Sequence, residues 1–294
     1  MTTSETVINL SFNRLYIINM LEPKDFNTAS RLYEDIIYYQ QSGVIEYREI
    51  KTRKDLDIFM TDQIIQTKNG LRPIYHFESH GNADLSEVGG ADHITWTELS
   101  LHLNLINRET DYAPLVFMAC CHGYHAISAI TMHNLTPFYY LVGPVKTISA
   151  DALLASTLVF YKKLFRALTI EEAVSTLPDD IGVYCAEDFF IQLRIRHLAN
   201  EHIGSNLIKH TMRLAEQYGR ENILNPHPKS YFEVLMFFLI QLNNQKLLED
   251  HYLNHGHLFL GKVPSLSFSQ IYDMAEQYYC SGKNIQEPGT PSDK

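Results

Sequence analysis

Two hydrophobic periods alternate along the first part of the chain. Short runs of β-branched and aromatic residues, such as Leu115–Ala119 and residues 139–142, are typical of strands that are buried on both faces. Between such runs, apolar residues recur at helical spacing, as in residues 56–67 and 151–167. Strand and helix signals in this order predict an α/β fold with a mostly parallel sheet covered by helices.

The pattern changes after residue 182. From about 186 to 280 the helical period persists and strand signals are weak, which predicts an all-helical region. The last residues are rich in Gly, Pro, Ser and charge, a composition typical of disordered tails. We therefore predict three parts, which are an α/β domain over 1–182, a helical C-terminal region over 183–280 and a disordered tail over 281–294.

Composition narrows the classes of function. The 294 residues include 24 Lys and Arg against 34 Asp and Glu, which gives a net charge of −10. Proteins that coat nucleic acid or bind membrane surfaces are normally basic, so neither partner is expected. Four cysteines are too few for a disulfide scaffold, and the sequence has neither a secretory leader pattern nor a membrane-spanning stretch. These features predict a cytoplasmic protein in a reducing compartment.

Residues suited to covalent chemistry follow two of the predicted strands. The strand 73–77 runs into Glu78-Ser-His80-Gly81, and the strand Leu115–Ala119 runs into Cys120-Cys121-His-Gly123. In parallel α/β proteins, functional groups lie at the carboxyl ends of strands. A histidine and a cysteine at neighbouring strand ends can form a nucleophilic pair, and the glycines leave main-chain N–H groups free for an oxyanion. Such residues are nevertheless more often solvated or simply packed.

The order of these motifs resembles the caspase-like (clan CD) cysteine peptidases. In that family a His-Gly pair precedes, by some 50 residues, an apolar strand that ends in the nucleophilic cysteine. The downstream segments are most similar to the bacterial CHAT-type branch, with Tyr140-Leu-Val-Gly143, then a Phe160-Tyr161 pair on a long helix, then Thr169-Ile-Glu-Glu-Ala173. The resemblance covers roughly residues 10–180 and implies a caspase-like three-layer sandwich.

The resemblance also implies an activity, namely a cysteine endopeptidase that cleaves a protein substrate through a thioester. His80 would act as general base and acid, Cys121 as the nucleophile, and the backbone N–H groups of Gly81 and Cys121 as oxyanion donors. Glu78 could orient His80 or contact a basic substrate side chain, although a solvated loop carboxylate is the simpler interpretation. The family implies no cofactor, metal or third catalytic carboxylate, and CHAT-type members often act in regulated proteolysis, including antiviral defence of bacteria.

Several alternatives remain open from the sequence. Cys120 could be the nucleophile, because Ala119-Cys120-x-x-Gly123 fits other members of the clan, whereas Cys121-x-Gly123 fits the caspase form. A zinc site could be drawn from the cysteine pair with His76, His80, His122 and His125, although adjacent cysteines would struggle to face one ion. The chain could also be a catalytically inactive caspase-fold interaction module.

The C-terminal region carries many aromatic residues and six of the 14 histidines. The aromatic residues predict helix packing against the α/β core, or else a surface for a regulatory protein. Its histidines are most simply surface or capping residues, and they are His197, His202, His210, His251, His255 and His257.

Overall fold

The computed structural model divides into two compact units. It describes residues 12–39, 44–110, 113–166, 169–222 and 229–282. The α/β unit comprises Met1–Glu187 together with Leu258–Lys262, and the helical unit comprises Asp188–His257 and Val263–Lys294. The α/β unit thus extends past the predicted boundary at residue 182 and includes a short segment from far along the chain. Of the predicted tail, residues 283–294 lie outside the described residues.

Eight strands are described in the α/β unit. They are β1 (Arg14–Asn19), β2 (Ile45–Glu49), β3 (Pro73–Glu78), β4 (Leu85–Val88), β5 (Asp92–Thr95), β6 (Leu115–Ala119), β7 (Tyr140–Pro144) and β8 (Ile181–Cys185). Six of them form one sheet in the order β2-β1-β3-β6-β7-β8, in which only the β7–β8 pair is antiparallel. β4 and β5 form a separate hairpin. The predicted α/β class with a mostly parallel sheet is confirmed.

The two central strands carry the candidate chemistry. Every residue of β3 and of β6 is buried. Helices on both faces remove the need for polar alternation, which is why both strands are continuous apolar runs apart from His76 and Glu78. The edge strand β8 was missed by the sequence analysis, because Gly182 and the preceding Pro-Asp-Asp turn weaken its strand signal.

Five helices cover the sheet. They are α1 (Thr28–Ile36), α2 (Arg53–Lys68), α3 (Trp96–Thr110), α4 (Ala150–Arg166) and α5 (Ile170–Val174). The connection from β1 to β2 runs towards one edge of the sheet, whereas the next connections run towards the other edge. Right-handed crossovers therefore place α1 on one face and α2 and α3 on the opposite face. The contacts agree, since α1 packs against α4 while α2 packs against α3, and the result is a three-layer arrangement.

The segment after β6 differs from its prediction. The sequence predicts a helix over residues 124–133, but the chain forms a 3₁₀ segment over Gly123–Ala129. The ring of Tyr124 packs so closely against Gly182 that a Cβ atom there would lie 2.5 Å from the ring. This contact with β8 holds the start of the 3₁₀ segment against the sheet.

The helical unit agrees with the predicted all-helical region. Its helices are α6 (Ala186–Glu201, which begins in the α/β unit), α7 (Gly204–Glu221), α8 (Tyr231–Leu242), α9 (Gln245–Leu260, whose last turn belongs to the α/β unit) and α10 (Phe268–Cys280). Capping boxes begin α8 at Ser230 and α10 at Ser267, where the cap side chain and the side chain three residues later satisfy free N–H groups. None of the described helices has the length and apolar character needed to cross a membrane.

The segment Leu258–Lys262 is bound into the α/β unit by polar contacts. Lys262 Nζ donates to the Tyr139 hydroxyl at 3.0 Å and lies 3.2 Å from the buried Glu187 carboxylate. The Thr136 N–H donates to the Phe259 carbonyl at 2.7 Å. These contacts compensate the buried charge of Glu187 and explain why the segment belongs to this unit.

Candidate active site

The carboxyl ends of β3 and β6 lie side by side. The strands pair in parallel, and Glu78 opposite Ala119 is the last registered pair. His80 and Cys121 each follow that pair by two residues. Because neighbouring strands are about 4.8 Å apart, the topology brings both functional residues to the same edge of the sheet.

Gly81 lies directly against the cysteine pair. A Cβ atom at this position would be 2.8 Å from Cys120 Sγ and 2.9 Å from the Cys121 carbonyl oxygen. Both distances are shorter than van der Waals contact, so a side chain would push the loop after β3 away from the turn after β6. Glycine is thus required for the close approach of the two predicted motifs.

The two cysteines lie in different environments. Cys120 is only 1% exposed, and desolvation raises the pKa of its thiol to about 12, against a smaller opposing effect of the hydrogen bond with Ser79. Cys121 is partly exposed, and its Sγ donates to the Ile148 carbonyl oxygen at 3.7 Å. A desolvated thiol with a raised pKa is a poor nucleophile. The environment therefore favours Cys121 over Cys120.

His80 is paired with a carboxylate that the sequence analysis did not nominate. Its Nε2 lies 2.9 Å from Asp25 Oδ2, and its side chain is 54% exposed. Asp25 follows β1, which is the neighbour of β3 in the sheet, and its Oδ2 also accepts a hydrogen bond from the Glu22 N–H at 3.0 Å. Since a carboxylate only accepts hydrogen bonds, this contact assigns a proton to Nε2, and in the neutral imidazole the lone pair is then on Nδ1.

Within the part of the chain that the structure describes, no hydrogen bond joins His80 to either thiol. The ring is engaged with Asp25, and the Cys121 thiol with Ile148. Catalytic hydrogen bonds are often long in the free enzyme and tighten when substrate binds. The exposed imidazole has room for such an adjustment.

Two backbone N–H groups at the site are without an acceptor in the described part of the chain. Neither the Gly81 N–H nor the Cys121 N–H donates to an acceptor among the described residues. They are the groups that the resemblance assigns to the oxyanion. Unpaired N–H groups beside a reactive thiol can stabilise negative charge on a carbonyl oxygen.

The turn that carries Cys121 is held by close backbone packing. His122 has a φ of 60°, in the left-handed region that non-glycine residues seldom adopt. At Gly123 a Cβ atom would lie 2.4 Å from the Met118 carbonyl oxygen, and at Gly143 it would lie 2.9 Å from the Gly123 carbonyl carbon. The glycine of the Cys-x-Gly motif therefore has a packing cause, because the turn rests on β6 and β7 without space for a side chain.

Glu78 is not a solvated loop carboxylate, and that expectation is wrong. It is the last residue of β3, is 4% exposed, and has its Oε2 2.6 Å from His76 Nε2. Its other oxygen accepts a hydrogen bond from the Thr28 hydroxyl, and His76 Nδ1 lies 3.2 Å from the Tyr161 hydroxyl. Since both oxygens are engaged inside the core, the geometry gives Glu78 no oxygen for a basic substrate side chain.

Replacing Glu78 by alanine is expected to lower the free energy of unfolding by about 2–4 kcal/mol, because His76 and Thr28 lose their buried partner. Urea denaturation measures the change. The matched control is Glu34→Ala, which removes an exposed carboxylate on α1 and should stay within about 0.5 kcal/mol of the wild type. Equal stability of the two variants would contradict a structural role for Glu78.

The zinc alternative finds no geometric support. Among the described residues, no three His, Cys, Asp or Glu side chains are placed so that they could hold a metal ion. The His122 and His125 rings are 5.4 Å apart, but His122 Nε2 lies 3.4 Å from the Thr147 hydroxyl. His76 is buried and already contacts Glu78 and Tyr161.

Comparison with known proteins adds no assignment, since no protein-family model and no curated protein matches the chain.

Proposed function

We propose that this protein is a cysteine endopeptidase in which Cys121 is the nucleophile and His80 is the general base. The proposal depends chiefly on one observation, which is the close approach of His80-Gly81 to Cys120-Cys121 at the ends of two paired central strands. Nucleophilic catalysis by a thiol needs a base nearby and access for the substrate. Cys121 is partly exposed and His80 is exposed, and each follows the last registered pair of the two strands by two residues. The resemblance to CHAT-type caspase-like peptidases supports the same reaction.

The reaction follows from the protonation state of His80. Its Nδ1 accepts the Cys121 proton as Sγ attacks the scissile carbonyl carbon, and the Gly81 and Cys121 N–H groups hold the oxyanion. Collapse of this intermediate breaks the C–N bond, His80 passes the proton to the leaving amine, and a thioester remains on Cys121. Water then attacks the thioester with His80 as base, which releases the carboxylic acid product and restores the thiol.

Asp25 is a positioning residue in this mechanism. Its contact with Nε2 selects the neutral tautomer whose lone pair is on Nδ1 and fixes the orientation of the ring. It also stabilises the imidazolium that forms when His80 takes the thiol proton. A His–Asp pair of this kind supports the general base without contacting the substrate.

Labelling with iodoacetamide at pH 7, followed by peptide mass spectrometry, tests the proposal. Cys121 is expected to react faster than free cysteine, and His80→Ala should slow it about tenfold or more because the thiolate loses its base. Asp25→Asn should give an intermediate rate. Cys280, an exposed thiol on α10, is the internal control and should react equally in all variants.

A peptide library incubated with the same variants tests cleavage itself. If Cys121 reacts no faster than Cys280 and no peptide is cut, the enzyme proposal fails and the inactive interaction module becomes the better hypothesis. Cleavage by the wild type that His80→Ala abolishes would support the peptidase and would give its specificity.

A further inference from the structure

Five histidines of the helical unit line one cavity. Its volume is about 280 Å³, near the lower end of the range for small-molecule sites. The basic residues around it come from α6, α7 and α9 and the turn after α6, and they are Arg194, His197, His202, His210, His251 and His255. The interpretation of these histidines as unrelated surface or capping residues is therefore incomplete, because all five face the same space.

The cavity lacks acidic groups that would balance these side chains. No carboxylate is among the described residues that line it, and α8 and α10 contribute only uncharged side chains. Glu201, at the end of α6, is nearby, but its Oε2 is already 2.7 Å from His210 Nδ1 and 2.8 Å from Arg213 Nη2. No carboxylate among the described residues pairs with Arg194.

Arg194 is the basic residue of the cavity whose hydrogen bonding is incomplete. Its guanidinium lies over the Phe190 ring, with Cζ 5.2 Å from the ring centre, and burial lowers its pKa. Its Nε is buried and has no hydrogen-bond partner in the described part of the chain. A desolvated Nε–H without an acceptor is costly, and an anion that reached it would supply the missing acceptor.

The imidazoles near Arg194 crowd one another. The His197 and His202 rings are 5.2 Å apart, and the His202 and His210 rings are 5.9 Å apart. Desolvation, together with positive neighbours, lowers the pKa of His197 to about 4 and lowers that of His202 as well. Both rings are therefore neutral at pH 7, and a bound anion would favour their protonated forms.

Apart from the Gln241 amide, the rest of the wall is apolar. Leu198, Leu247, Leu248, Tyr252 and Phe268 face the cavity. The volume of about 280 Å³ suits a compact small molecule. Among the described residues, no three His, Cys, Asp or Glu side chains are placed so that they could hold a metal ion.

We propose that this cavity binds an organic anion with a compact apolar body, of the class of small aromatic carboxylates. The carboxylate pairs with Arg194 and the surrounding imidazoles, and the apolar body packs against the leucine and aromatic wall. The site is independent of the cysteine–histidine chemistry in the α/β unit, so neither proposal depends on the other.

Isothermal titration calorimetry at pH 6 with three probes tests the proposal. Benzoate supplies both the negative charge and the apolar body. Benzamide keeps the shape without the charge, and inorganic phosphate supplies the charge alone. Benzoate is expected to bind at least tenfold more tightly than either of the others. Its affinity should also rise as the pH falls from 7.5 to 5.5, with proton uptake, because the imidazoles become protonated while a carboxylate stays ionised.

Variants locate the binding. Arg194→Gln should weaken benzoate at least tenfold, and His257→Gln, which alters an exposed histidine on α9 outside the cavity wall, should leave it unchanged. Leu248→Trp fills the cavity while keeping every charge and should abolish benzoate binding. If Arg194→Gln does not fold, this second variant tests whether benzoate binds in the cavity. The proposal is overturned if benzoate does not bind, if benzamide or phosphate binds equally well, or if Leu248→Trp binds like the wild type.

Discussion

Replacing Cys121 by alanine is expected to lower peptide cleavage at least about 10⁴-fold, because the nucleophile acts as one unit with its base. Cys120→Ala should keep cleavage within about tenfold of the wild type. With a pKa of about 12, the Cys120 thiol is ionised in about one molecule in 10⁵ at pH 7, and it is buried away from substrate. Initial rates on the best peptide from the library measure both effects.

Circular dichroism provides the control, since both variants must keep the wild-type spectrum for the rates to be compared. Loss of cleavage in Cys120→Ala with retention in Cys121→Ala would reverse the assignment. It would then favour the Ala-Cys-x-x-Gly form of the motif. Equal cleavage rates in the wild type and in both variants would show that neither cysteine takes part in the reaction.

Gly123→Ala is expected to lower the free energy of unfolding by about 1–3 kcal/mol and to slow cleavage by about 10²-fold or more. The added methyl group would lie 2.4 Å from the Met118 carbonyl oxygen, which belongs to a central strand and cannot move aside. The turn must shift instead, and the shift displaces Cys121 from its base. Urea denaturation and initial rates measure the two effects.

Gly219→Ala is the matched control, because a Cβ atom at Gly219 meets nothing within 4 Å. This glycine lies inside α7, where alanine should stabilise the protein by about 0.5–1 kcal/mol. If Gly123→Ala cleaves at the wild-type rate, close packing of the turn does not position the nucleophile.

The sequence predicted the helices and strands, and the two strand ends that carry His80 and the cysteine pair, because these features depend on local sequence. Continuous apolar runs revealed β3, β6 and β7, and helical spacing revealed the helices that cover them. His80-Gly81 and Cys120-Cys121 could be selected because they follow those runs directly. In contrast, β8 was missed, since a short edge strand with an internal glycine has little local signal.

The tertiary structure decided what depends on neighbours that are distant in sequence. Asp25 became a partner of His80 only because β1 lies beside β3, and a carboxylate after the adjacent strand is the signal that strand order would have provided. Glu78 proved to be a core residue because Thr28 and His76 surround it. Cys120 and Cys121 are the same residue type in the sequence, and only the structure shows that Cys120 is buried whereas Cys121 is partly exposed.

The histidines of the C-terminal region show the same division. The sequence by itself determined the fold class, the order of elements and the residues at the strand ends, because hydrophobic period and chain direction fix them. It could not show that five histidines and Arg194 share a cavity, because these residues span about 60 positions on three helices and a turn. Their common environment, like that of the cysteine pair, is set by packing between elements, and packing determines which of these groups are desolvated and reactive.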